Sequence, residues 1–84
     1  MRVRLSVVPP HRLQTGDVCW YADEHDTEGC YYARTPNGLL ACLRGHKIVD
    51  AAAETFTVEP SILVSGEEGK SWHGHLERGV WREC

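Results

Sequence analysis

Val58–Trp81 reads VEPSILVSGEEGKSWHGHLERGVW, and the rest of the chain is placed around it. Pro60 disfavours helix at Glu59 and fixes the backbone entering Ser61. The loop Ser65–Lys70 (SGEEGK) turns the chain, because glycine accepts positive φ. Trp72–Leu76 then returns beside Ser61–Val64 and brings a histidine toward Ser61. A serine is a poor nucleophile until a base takes its proton, and histidine is the usual base near neutral pH. Ser61 with His73 or His75 is therefore the sharpest chemical pairing in the chain.

The segments upstream read as further short strands. Arg2–Val8 (RVRLSVV) alternates polar and apolar residues, with Val3, Leu5 and Val7 on one face. Pro9-Pro10 ends it. Val18–Ala22 is a short apolar strand, and Asp23–Gly29 (DEHDTEG) is a charged loop. Cys30–Thr35 and Leu39–Leu43 flank Pro36-Asn37-Gly38, which reads as a hairpin turn. In Asp50–Glu54 (DAAAE) the alanines suggest one helical turn with Asp50 as N-cap. Phe56–Val58 is a strand that Pro60 closes. Ser61–Val64, Trp72–Leu76 and Val80–Arg82 complete the set. Many short strands and almost no helix predict a mostly β fold: a small antiparallel β sandwich or partly open barrel.

Eighty-four residues make one domain, 1–84, with no room for two cores. A net charge of -3, with basic residues scattered beyond Arg2, Arg4 and Arg12, argues against a nucleic-acid partner. No apolar run reaches the length of a membrane span, and the apolar run at the start is too short for a signal peptide. A cytoplasmic protein is expected. The four cysteines, Cys19, Cys30, Cys42 and Cys84, are then reduced thiols, and none sits in a C-x-x-C pair. No cofactor is expected.

Pro60-Ser61-Ile62, then a loop, then His73-Gly74-x-Leu76-x-x-Gly79-Val80-Trp81 resembles the signature of the BubE-like family. This is a former domain of unknown function found in phages and in bacterial ubiquitin-like conjugation operons. The resemblance covers about the last third of the chain. Gly16-Asp17-Val18 with Trp20-Tyr21, and Pro36-Asn37-Gly38, match it loosely. It implies a serine peptidase acting at the C-terminal tail of a ubiquitin-like protein, with Ser61 as nucleophile and His73 as base. The chain departs from the pattern at His75, where the family has Trp or Tyr, and it lacks the clustered upstream cysteines of operon-type members.

Several other roles attach to neighbouring residues. Glu59, Asp17 and Glu77 are candidates for a carboxylate that orients the base. Trp72, His75 and Trp81 are candidate substrate-binding residues; either tryptophan can wall a groove for an extended peptide, and its ordinary alternative is core packing. His73 and His75 share a strand face by the two-residue period. Zinc on that pair needs further ligands from distant strands, such as Cys30 or Cys42, so no metal is expected. The competing class of function is a non-enzymatic phage or accessory module that uses the fold to hold a protein partner.

Overall fold

A computed structural model describes residues 1–84. Eight strands form two four-stranded sheets. The first sheet contains β1 (Arg4–Leu5), β2 (Asp17–Tyr21), β3 (Cys30–Arg34) and β4 (Leu40–Cys42), in that order. The second contains β5 (Lys47–Asp50), β6 (Thr57–Ser65), β7 (Ser71–Glu77) and β8 (Val80–Glu83). Neighbours pair antiparallel except β1 and β2, which are parallel. The only helical segments are 3-10 turns at Pro10–Arg12 and Glu67–Gly69. No helix is long and apolar enough to cross a membrane. The mostly β architecture is that of a small open sandwich rather than a closed barrel.

The core lies between the sheets. The first contributes Val18, Ala33 and Ala41, with Val3 and Leu43 beside them; the second contributes Val58, Ile62, Trp72, Leu76 and Trp81, with Phe56 beside them. Along β7 the burial alternates: Trp72, Gly74 and Leu76 point inward while Ser71, His73 and Glu77 are exposed. That is the period-2 pattern of a sheet with one wet face. The Trp72 and Trp81 rings meet edge to face at 5.3 Å between centroids, and the Trp81 indole N–H donates to the Gly16 carbonyl at 3.0 Å. One buried hydrogen bond thus ties the second sheet to the turn before β2. Gly74 lies beneath this pair. A Cβ there would come within 2.4 Å of the Trp72 ring and 2.3 Å of the Arg82 carbonyl oxygen.

The structure redraws three elements. The expected strand Arg2–Val8 is divided. Arg2 bridges to Val80 of the second sheet and the Val3 amide donates to Gly79 in the turn between β7 and β8, whereas Arg4–Leu5 pairs with β2 of the first sheet. The start of the chain therefore stitches the sheets together. Val3 is buried, but Leu5 and Val7 are exposed.

Asp50–Glu54 is not a helical turn. Asp50 ends β5, and its carboxylate accepts from the Ala52 amide at 2.9 Å and the Thr55 hydroxyl at 2.7 Å. The side chain organises the loop that reverses β5 into β6, an alternative Asp offers the backbone in place of helix.

Pro60 does not close a strand. β6 runs through it, and the Glu59–Pro60 peptide is cis. Val58 pairs with Leu76 and Ile62 with Gly74, so three residues of β6 oppose His75 alone. Glu59-Pro60-Ser61 bulges from the ladder, where a residue without an N–H is tolerated.

Candidate functional site

The bulge places Ser61. Ile62 is buried inward, and Ser61 and Leu63 lie on the opposite, solvent side of β6. His73 is the register partner of Leu63 and projects from the same outer face. The Ser61 hydroxyl and His73 Nε2 are 3.1 Å apart. With the hydroxyl donating, Nε2 is the free acceptor and the ring proton sits on Nδ1. In that tautomer the imidazole is able to accept the hydroxyl proton.

A second histidine holds the same residue from behind. His46, in the turn before β5, has Nε2 at 3.2 Å from the Ser61 carbonyl oxygen. A carbonyl only accepts, so His46 Nε2 carries the proton. Its Nδ1 is buried without a hydrogen-bond partner. Ser61 is therefore fixed at its side chain by His73 and at its main chain by His46. Nothing in the sequence around Arg44-Gly45-His46 signals this role, because the contact spans 15 positions and depends on how β5 docks against β6.

The carboxylates expected near the base are engaged elsewhere. Asp17 lies in the first sheet, almost fully buried, and pairs with Arg4 at 3.0 Å. Glu77 pairs with Arg82 at 2.9 Å. Glu59 is exposed on the bulge, where its main chain pairs with Lys47 of β5 and its side chain makes no hydrogen bond. The contact of His73 with Ser61 is its sole side-chain hydrogen bond. The pair is a dyad on an open strand face.

Trp72 and Trp81 are not beside Ser61. They are 2% and 5% exposed and face the core, so their contribution is packing rather than the wall of a groove. His75 is half-buried on the outer face, in register with Arg82. The sequence reading missed Leu63, which is 69% exposed next to His73 and is the apolar side chain the dyad presents to solvent. The period-2 pattern was the available signal, since Leu63 is two positions from Ser61. His73 and His75 are on the second sheet, whereas Cys30 and Cys42 are on the first, so the mixed zinc set does not assemble.

The concavity of the fold lies away from the dyad, against the first sheet. Its volume is about 430 Å³, and it is walled by Leu5, Val7, Pro9, Val18, Trp20 and Tyr31 among others. Trp20 and Val7 are exposed at its rim. It shares no residue with the Ser61 dyad.

Comparison of the chain with known protein families, with curated proteins and with solved structures finds no match.

Proposed function

We propose that the chain is a serine hydrolase of peptidase type, acting at the C-terminal tail of a ubiquitin-like protein. The observation that carries the hydrolase reading is the 3.1 Å contact between the Ser61 hydroxyl and His73 Nε2 on an accessible face. Ser61 Oγ attacks the carbonyl carbon as His73 takes its proton. His73 then returns a proton to the leaving group, and water repeats the sequence to release the acyl chain. His46 keeps the Ser61 main chain in place while the hydroxyl reacts. Leu63 and His75 flank the reacting oxygen and contact the substrate residues next to the cleaved bond. A ubiquitin-like tail is slender and extended, which suits an open strand face. That choice of substrate rests on the resemblance of Pro60-Ser61-Ile62 and His73-Gly74-x-Leu76 to the BubE-like signature.

The second reading is a module that binds a protein without chemistry. It draws support from the absence of a carboxylate on His73 and from the apolar concavity around Trp20. The test is labelling of the purified chain with a fluorophosphonate, together with cleavage of a ubiquitin-like protein carrying a C-terminal fusion. The hydrolase reading expects one adduct per chain, mapped to Ser61, and release of the fusion. A folded chain that neither labels nor cleaves is a binding module.

A further inference from the structure

The outer face of the first sheet carries chemistry that the Ser61 site does not use. Val18, Ala33 and Ala41 face the core in one cross-strand row, so their neighbours Cys19, Tyr32 and Cys42 point the other way. Cys30, two residues before Tyr32, shares that face. Cys30 and Cys42 lie diagonally across the β3–β4 hairpin, with their sulfurs 3.7 Å apart. All four cysteines are free thiols.

We propose that Cys30 and Cys42 are a reversible oxidation site, converted by a peroxide to an intramolecular disulfide. Four features of the hairpin point this way. The sulfurs are already in contact, and a disulfide requires closure to about 2.05 Å. Cys42 is exposed and meets an oxidant, while Cys30 is buried behind it. Cys42 is the last residue of a three-residue strand, one residue ahead of the turn at Arg44-Gly45. The guanidinium of Arg44, held by Asp26, puts a positive charge near the pair that offsets a small part of the burial raising the Cys30 thiol. The other exposed thiol, Cys84, lies after β8 in the second sheet and has no such neighbour.

The chemistry balances as follows. The Cys42 thiolate attacks one peroxide oxygen, the O–O bond breaks, and the other oxygen leaves as water or an alcohol after taking a proton. Cys42 is then a sulfenic acid. The Cys30 sulfur attacks the Cys42 sulfur, the S–O bond breaks, and hydroxide leaves with the Cys30 proton as water. Two thiols lose two electrons, and the peroxide gains them. A dithiol reductant reverses the change by exchange. Burial and the neighbouring Cys42 both push the Cys30 thiol up, which suits Cys30 to the second step rather than the first.

The experiment treats the reduced full chain with equimolar hydrogen peroxide, alkylates the remaining thiols and maps the product by mass. The expected result is a loss of about 2 Da, two alkylated cysteines (Cys19 and Cys84), a Cys30–Cys42 crosslink in the peptide map, and full recovery with dithiothreitol. Cys30→Ser is expected to stop at a Cys42 sulfenic acid that dimedone traps, whereas Cys84→Ser behaves as the parent. Four alkylatable thiols after peroxide, a crosslink through Cys84, or a disulfide between chains each overturns the proposal. The mapping of the parent chain decides even if a variant misfolds.

Discussion

His46 Nε2 donates to the carbonyl oxygen of Ser61 at 3.2 Å, joining the turn before β5 to the bulge of β6. The bond acts where β6 leaves its ladder with β7, so the main chain at Ser61 has fewer strand partners to fix it. His46→Ala removes this donor, and the expected stability cost is about 1 kcal/mol. On the proposed hydrolase reading the effect on cleavage is larger, because a misplaced nucleophile loses roughly 10²-fold in rate. The loss falls on kcat rather than KM, since His46 contacts the main chain and not the substrate. Denaturant unfolding and steady-state cleavage of the fusion measure the two quantities. An unchanged kcat in a folded His46→Ala chain refutes the positioning role.

Gly74 belongs to the core even though it sits between two histidines. A Cβ would collide with the Trp72 ring and with the main-chain oxygen of Arg82, and the main chain cannot swing aside as a flexible side chain can. Gly74→Ala is expected to destabilise by about 1–3 kcal/mol, seen as a lower denaturant midpoint. His73→Ala, on the exposed face, changes stability by less than about 0.5 kcal/mol. The glycine of the His73-Gly74 pair thus serves packing, and the histidine serves the outer face.

The parts of the fold that local chemistry determines were legible in the sequence. Pro36-Asn37-Gly38 between two apolar runs marked the β3–β4 hairpin, and the glycine-bearing loop before Trp72 marked the return of β7 past Ser61. The missing parts depend on contacts distant in sequence. Lys47–Asp50 is a strand only through its pairing with Thr57–Glu59. Pro60 looked like a strand end, since a bulge is defined by a partner strand that local sequence does not reveal. His46 lies on no motif. Cys30 and Cys42 have no metal-type spacing, yet the hairpin register and the two-residue period place them on one face.

Asp50 gives the β5–β6 loop a dependence on acid. The Ala52 amide and then the Thr55 hydroxyl donate to its carboxylate and hold its pKa below the ordinary value. A depressed folded-state pKa stabilises the fold at pH above the unfolded value of about 3.9, and that stabilisation fades as pH falls through the folded value. Asp50→Asn is therefore expected to lower Tm at neutral pH and to have a smaller effect near pH 3. Thermal melts of both chains across this range check it. A Tm difference that is constant with pH would show that the carboxylate charge does not contribute.

Tyr32 reports on the thiol face. Its phenol is pushed up to about 12, first by its hydrogen bond to the Cys30 sulfur and then by the charge on Cys30. Of the three tyrosines, Tyr32 is expected to ionise last in an alkaline absorbance titration. Cys30→Ser removes the sulfur and returns Tyr32 toward the ordinary range near 10. Oxidation to the Cys30–Cys42 disulfide removes the thiolate charge and moves it the same way. Three indistinguishable tyrosines in the reduced parent chain would contradict this arrangement.

The decisive comparison at the dyad is between the two histidines of β7. Both project from the outer face, but only His73 reaches Ser61 Oγ, at 3.1 Å. On the proposed reading, Ser61→Ala removes the attacking oxygen at a half-exposed position and is expected to abolish cleavage of a fused ubiquitin-like substrate without unfolding the chain. His73→Ala removes the proposed base and is expected to cost roughly 10²–10⁴-fold. Ser61→Ala combined with His73→Ala is expected to be no worse than Ser61→Ala, because nucleophile and base act as one unit and their losses do not add. His75→Ala is expected to cost far less and to raise KM rather than lower kcat, since the side chain flanks the oxygen without touching it. Cys30→Ser and Cys42→Ser leave turnover of the reduced protein unchanged, because those thiols lie on the other sheet. If His75→Ala is inactive while His73→Ala retains activity, the base has been assigned one strand step out of place. If every folded variant matches the parent, Ser61 is not a nucleophile and the outer face of β6 and β7 is a binding surface.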